Sequence, residues 1–318
     1  MTSPMPLQAF GCTGAQVSRV ALGCMGLAGT WDPNAVTPEN ISKAIKAVET
    51  ALQSGITFFD HADIYGGTAC ETVFKECLKA LPGSREKMFV ATKVGIRRGY
   101  YEHEPEYIRN SIEGSLTRLG LDYVDLYQLH RPDPLTHPAK TAAALDDLVS
   151  RGLVRMIGVS NYYPHQVLAL RRFLQAPIVS NQIEISLLRL DPVYEGAAGA
   201  NGDGVLDQCL ELGITPLAYS PVGRGWLTGH REVPQDHHQR ATIDRLLAVM
   251  KELAPAYGGA TPAQFAIAWL LRHPAGIIPL VGSTNVNHIK AAAGAAALVL
   301  SRTDWYKLWV AARGTNVP

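Results

Sequence analysis

Apolar residues in this chain fall into two alternating patterns. Short runs without a polar face recur at residues 20–24, 57–60, 88–94, 124–129, 154–159, 178–183, 215–219 and 277–281. Runs of that length and character predict strands buried on both faces, as in a parallel sheet. Helical spacing fills the intervals. Ile41, Ala44, Ile45, Val48 and Leu52 form one apolar stripe. Thr37-Pro38 marks its start with an N-cap and a proline at the first helical position, and Gly55 stops it. Thr261-Pro262-Ala263-Gln264 is a capping box opening a helix over 265–272, with Pro274 behind. Pro105 opens a helix to about Leu119, and Pro138 opens another that ends near Arg151-Gly152.

Ahead of the alternation, residues 7–10 and 16–20 flank Gly11-Cys12-Thr13-Gly14 and predict a hairpin. Eight βα units with no Pro/Ser-rich linker predict one α/β domain over 1–318, a (β/α)8 TIM barrel. The hairpin is expected to close its bottom, with the active site at the C-terminal face. A doubly wound sheet would carry a Gly-rich fingerprint after its first strand. That turn reads Gly23-Cys24-Met25-Gly26, and neither a dinucleotide fingerprint nor a P-loop occurs in the chain. Two irregular stretches, 189–204 and 224–240, follow strands and are expected to lie over the active face.

Composition narrows the function. Lysine and arginine (29) balance aspartate and glutamate (28), with no basic stripe or acidic tail, which argues against nucleic acid or a membrane surface as partner. The start, Met1 to Pro6, lacks the charged and apolar regions of a signal peptide. The apolar run 291–300 is too short to span a bilayer. The five cysteines show no CxxC spacing and read as reduced, mostly buried thiols. The expected setting is cytoplasmic, as a monomer or weak homo-oligomer acting on a small molecule.

Candidate chemistry comes from Asp60, Tyr65, Lys93 and His130, each at or just beyond the end of a predicted strand. That edge is where catalytic groups gather in a parallel barrel. An isolated Asp or Lys there is usually a structural ion pair, a lone Tyr is usually packing, and a lone His is usually a hydrogen-bonded core residue. Four such residues at one end of three successive strands form a proton-transfer device instead. A tyrosine near pKa 10 is a poor acid–base at neutrality. A neighbouring ammonium is expected to lower that pKa, and Asp60 to keep Lys93 charged and aimed. His130 can bind the same carbonyl oxygen or pass a proton to Tyr65. Such a set suits a carbonyl polarised while hydride arrives from a nicotinamide.

Phe59-Asp60-His61-Ala62-Asp63-Ile64-Tyr65-Gly66 resembles the F-D-[TH]-A-x-x-Y-G signature of the aldo-keto reductases. Thr92-Lys93, Leu126 to Pro132, Gly158-Val159-Ser160-Asn161-Tyr162 and Pro216 to Gly223 are similar to further family elements, in family order, from about residue 7 to 300. The Asp-His-Ala-Asp wording and the H-R-P-D-P continuation most resemble a bacterial branch. The resemblance implies that Tyr65 is the general acid in carbonyl reduction and the base in alcohol oxidation, tuned by Lys93 and Asp60. It implies that His130 orients a carbonyl rather than serving C=C reduction. Ser160, Asn161 and Gln182 would hold the nicotinamide carboxamide and Tyr219 would stack on the ring. Gly223, Arg224 and Gly225 would lie along the pyrophosphate, and Ser220 and Val222 would also belong to the cofactor site. The expected cofactor is NADPH/NADP+.

One element departs from the family. Gly282, Ser283 and Thr284, followed by His288, stand where the family grips the adenosine 2′-phosphate with basic residues; here Gly282, Asn285 and His288 replace them, and Ala292 replaces a later Asn. Neutral groups pair with a dianion less well than an Arg fork. Ser283, Thr284, the following helix N-terminus and His288 can still bind it, so NADH/NAD+ or dual use stays open. Asp236-His237-His238 with His230 matches no zinc spacing, and no metal is expected. Trp31 and Trp226 are expected as substrate-pocket walls, and the short tail after Ala312 as leaving the site open. The alternatives are a nicotinamide-binding regulatory or sensor subunit with slow redox turnover, and a cofactor-free isomerase or lyase.

Overall fold

The computed structural model describes residues 5–193 and 204–316. The chain opens with an antiparallel hairpin, β1 (Leu7–Ala9) and β2 (Gln16–Ser18). Next come β3 (Ala21–Gly23), helix α1 (Pro38–Gln53), β4 (Phe58–Asp60), α2 (Ala69–Ala80) and β5 (Phe89–Val94). A small hairpin, β6 (Ile96–Arg97) and β7 (Tyr100–Tyr101), precedes α3 (Pro105–Leu119), β8 (Val124–Leu129), α4 (Pro138–Ser150), β9 (Val154–Ser160) and α5 (Pro164–Arg171). The rest is β10 (Ile178–Glu184), α6 (Val205–Leu212), β11 (Thr215–Tyr219), α7 (Arg240–Leu253), α8 (Pro262–Leu271), β12 (Ile278–Val281), α9 (Val286–Gly294) and α10 (Arg302–Arg313). Strands β3, β4, β5, β8, β9, β10, β11 and β12 pair in parallel and close into a barrel, β12 returning to β3.

All eight apolar runs become barrel strands. The first is shorter than its run, because Cys24–Gly26 turns into a 3-10 helix. Strands β5 and β8 are buried along their whole length, as runs without a polar face require. Proline occupies the first turn of α1, α3, α4, α5 and α8, where its missing N–H costs nothing. Thr37 with Asn40, and Thr261 with Gln264, close capping boxes. The β6–β7 hairpin was not predicted: Arg98-Gly99 between two-residue strands is too short to show periodicity, although Gly99 has the positive φ of a tight hairpin turn. Helix α10 ends at Arg313, one residue into the stretch expected to be a tail. The chain start before Met5, the stretch 194–203 of the first irregular loop and Val317-Pro318 lie outside the described residues.

The first hairpin seals the barrel's N-terminal end with an aromatic plug. Phe10 meets Phe58 at 5.6 Å and Phe89 at 4.9 Å between ring centroids, with Val17, Ala21, Leu126 and Leu217 in the same buried cluster. The second layer of core lies between strands and helices. With one mouth sealed, polar chemistry inside the barrel is confined to the other. Phe10→Ala is expected to cost about 3–5 kcal/mol in urea unfolding; a loss below about 1 kcal/mol would show that the hairpin does not close the core.

Candidate active site

Lys93 sits in the barrel wall with no solvent exposure. Its ammonium donates to Asp60 Oδ2 at 2.7 Å, to the His61 carbonyl at 2.7 Å and to Tyr65 Oη at 3.0 Å. Three donors meet three acceptors, which is what a buried ammonium needs. Burial alone pulls its pKa down, but Asp60 and then Tyr65 push it up, and the net direction is up. The other Asp60 oxygen accepts from Gln128 Nε2 at 3.1 Å and Gln182 Nε2 at 3.0 Å. The structure thus joins Asp60, Tyr65 and Lys93 in one hydrogen-bonded set.

Tyr65 is delivered by a tight turn. Asp63 N–H donates to the Lys93 carbonyl at 3.1 Å, and Tyr65 N–H donates to that of Ala62 at 3.1 Å. Gly66, Gly67 and Thr68 then follow with positive φ, and a Cβ on Gly66 would press on Cys70 Sγ at 2.9 Å and the Thr30 carbonyl at 3.1 Å. Only glycine fits Gly66. Beneath the turn, the buried Asp63 carboxylate accepts from Ser111 at 2.9 Å and Tyr107 at 3.3 Å, and burial pushes its pKa up to about 6. The expected lowering of the Tyr65 pKa by Lys93 is present but outweighed. Burial raises it more than Lys93 lowers it, and Asp60 adds to the rise, so Tyr65 is held as a neutral phenol.

His130 stands with its ring centroid 5.9 Å from that of Tyr65, edge to face. Burial, then the charges of Lys93 and Arg131, push its pKa down to about 2. It is a neutral imidazole, suited to hydrogen bonding and unsuited to passing a proton near neutrality. Its Nδ1 is buried without a partner. A buried N–H without an acceptor costs more than a buried lone pair, which favours the proton on Nε2.

Asn161 ties this group to its neighbours. Its Nδ2 donates to the His130 carbonyl at 3.2 Å and to Ser160 Oγ at 2.8 Å, and its Oδ1 accepts from Tyr219 Oη at 2.9 Å. Ser160 Oγ donates to the Gln182 carbonyl at 2.9 Å. Asn161, Ser220 and Arg224 are three of the four non-glycine residues with positive φ among the described residues. Their positions just past the ends of β9 and β11 put that strain at the barrel mouth. Asn161, Tyr219 and Arg224 line a cavity of about 750 Å³ whose other walls include Arg131, Asp133 and Glu184.

The remaining predicted residues spread along the mouth. Gly223, Arg224 and Gly225 follow one another with positive φ, a backbone form that suits anion-binding concavities. The Arg224 guanidinium is mostly exposed and reaches Glu184 at 3.3 Å. Val222 packs against the core. A Cβ on Gly225 or on Gly282 would meet nothing within 4 Å, so the backbone is open to a close ligand at both places. Ser283 Oγ lies 3.3 Å from His288 Nδ1, and Asn285 caps α9 by accepting from Asn287 N–H at 2.9 Å. Thr284 lies between them. Neither expected tryptophan is among the described residues lining the cavity. Trp31 is 61% exposed, on a loop whose backbone carbonyl backs Gly67. Trp226 carries Arg231 over its ring at 3.6 Å and meets the His237 ring edge to face at 4.6 Å. Among the described residues no His/Cys/Asp/Glu group could hold a metal, and no helix is long and apolar enough to cross a membrane.

Sequence reasoning missed Gln128 and Arg131. Gln128 lies two residues before His130 on β8, hence on the same inward face, and that period was its available signal. Arg131 follows the strand and had no pattern to mark it.

Breaking the buried set has a definite cost. Lys93→Met is expected to lose about 3–5 kcal/mol of unfolding free energy, because Asp60 is left without its cation. The double replacement Asp60→Asn with Lys93→Met is expected to lose less than Lys93→Met alone. Additive losses in urea denaturation would mean the pair is not coupled.

Comparison with known proteins places this geometry. The aldo/keto reductase family model matches residues 19–310. The chain is 41% identical to a 6-dehydroglucose reductase of Novosphingobium aromaticivorans, over 99% of this chain and 98% of that one. It is 34% identical to oxidoreductase YdhF of Escherichia coli, over 96% and 97%. Among solved structures, the thermostable aldo-keto reductase Tm1743 superposes with a TM-score of 0.80 at 28% identity, covering 96% of this chain and 100% of that one. The glycerol dehydrogenase of Gluconobacter oxydans, at 24% identity, shares the fold with a TM-score of 0.81, over 98% and 97%.

Proposed function

The chain belongs to the aldo/keto reductase family, and from that premise we propose that it interconverts aldehydes or ketones and alcohols by direct hydride exchange with NADP(H), Tyr65 supplying and taking up the proton. One observation carries the reading. A lysine ammonium can only donate, so the 3.0 Å contact makes Tyr65 Oη the acceptor. The phenol's own proton is then free to point away from Lys93 toward a carbonyl oxygen. Burial favours the neutral phenol, the form a general acid needs. As that oxygen loses its proton, the adjacent ammonium stabilises the phenolate, and Asp60 keeps the ammonium in place. His130, neutral, donates a second hydrogen bond to the carbonyl and fixes its orientation.

The residues present fit a nicotinamide dinucleotide. When bound, the cofactor supplies or accepts the hydride. Ser160, Asn161 and Gln182 hold its carboxamide, with Gln182 oriented by Asp60 and Asn161 by Tyr219. Tyr219 offers a ring face. Ser220, Val222, Gly223 and Arg224 follow the pyrophosphate, and the open backbone at Gly282 with Ser283, Thr284 and His288 takes the adenosine end. The 6-dehydroglucose in the name of the Novosphingobium relative, together with charged and polar side chains among the cavity walls, supports a hydroxylated carbonyl substrate.

Tyr65→Phe keeps the ring and removes the proton. It is expected to lower kcat for carbonyl reduction by about 10²–10⁴-fold while cofactor still binds; full activity in that variant would refute the mechanism. Because burial raises the Tyr65 pKa, the reduction rate should stay level through neutrality and fall only in alkali. A decline centred near pH 7 would count against it.

Residues 282–289 contain no Lys or Arg. Discrimination for NADPH over NADH should therefore be modest, about tenfold or less. Ser283→Arg should tighten NADPH by about 10–100-fold, with NADH little changed. Quenching of tryptophan fluorescence reads both, and equal effects on the two cofactors would remove the 2′-phosphate from this place.

A further inference from the structure

The cavity beside the candidate active site carries six charged walls: Arg131, Asp133, Glu184, Arg189, Asp191 and Arg224. Four pair with one another, and the oxygens of a fifth, Asp133, are held by neutral donors. Arg224 meets Glu184 at 3.3 Å, and Arg189 meets Asp191 at 2.8 Å. Asp133 accepts from His103 N–H at 2.9 Å, Leu135 N–H at 2.9 Å and Thr136 Oγ1 at 2.6 Å. Arg131 remains. Its guanidinium stands beside the Tyr219 phenol, and no carboxylate lies within ion-pair distance of it among the described residues. A guanidinium has five N–H donors in a planar fork, so most of Arg131's donors are uncommitted.

Its place is as informative as its charge. Arg131 follows His130 directly and stands beside the phenol that donates to Asn161, which in turn donates to the His130 carbonyl. Its charge is felt at the His130 ring. A guanidinium with free donors in a concave, partly buried wall is a local anchor for an anionic group, within a wall whose other charges include the ionised Asp133. We propose that Arg131 is a specificity-determining residue, and that the favoured substrates are aldehydes or ketones carrying a carboxylate a few bonds from the carbonyl. The carboxylate takes the guanidinium fork while the carbonyl oxygen reaches Tyr65 and His130. This rests on the carbonyl-reductase reading of the same site.

The test compares succinic and glutaric semialdehydes with butanal and pentanal, in native protein, Arg131→Gln and Arg131→Lys. A charge-assisted bond corresponds to about 10–100-fold in affinity. The native protein should prefer the acids in kcat/KM. In Arg131→Gln the acid-to-neutral ratio should fall by about that factor, mostly through KM, and Arg131→Lys should recover part of it. No preference in the native protein, parallel losses on acids and neutral aldehydes, or a change confined to cofactor affinity would each overturn the proposal. Calorimetric titration of unreactive succinate into NADP+-loaded protein reads the same contact without turnover. Binding weakened about tenfold or more in Arg131→Gln supports the site even if no carbonyl is reduced, an outcome that would sink the reductase reading alone. Undetectable succinate binding to native protein, or equal binding to both proteins, overturns the role of Arg131.

Discussion

The Lys93 ammonium, fully enclosed by the barrel, constrains everything around it. A charge moved from water into protein is tolerated only when its donors are all met. Asp60, the His61 carbonyl and Tyr65 meet them, and each position follows from that need. Asp60 must end β4, which pairs with β5. The chain after Asp60 must turn at once to bring a carbonyl and a phenol back over β5, and Gly66-Gly67 permits the turn. Gln128 and Gln182 then satisfy the outer oxygen of Asp60 from two other strands. One buried cation thereby couples four strands of the barrel.

The same burial decides protonation. Tyr65 is driven toward the phenol and His130 toward the neutral imidazole, because low polarity disfavours charge on either. Lys93 opposes the first shift and adds to the second. A site that holds a phenol neutral at rest and places a cation beside its oxygen suits the carbonyl–alcohol chemistry proposed above. The sealed aromatic end at Phe10, Phe58 and Phe89 directs that chemistry to a single mouth.

Much of this was legible in the chain. Residue types at strand ends singled out Asp60, Tyr65, Lys93 and His130 as candidates, and the structure brings them together, since a barrel must present its strand termini on one side. The direction of the Tyr65 shift was not legible. It depends on the balance of desolvation against one neighbouring charge, and burial depth is a property of the assembled barrel. Trp31 and Trp226 were singled out from loop position, but loop position does not say which way a side chain turns. Arg131 went unmarked because a surface arginine and a cavity arginine look alike in sequence.

The sequence by itself determined the alternation of strand and helix, the helix starts at proline and capping boxes, and which candidate groups stand at the strand ends, because these rest on local backbone and solvation preferences. Tertiary structure alone decided that Gln128 would serve Asp60, that Tyr65 would accept from Lys93 with its own proton left free, and that Arg131 would have no carboxylate at ion-pair distance among the described residues. Those outcomes turn on distances between residues up to 122 positions apart, as for Gln182 and Asp60. Only closure of the barrel brings such partners within hydrogen-bond reach.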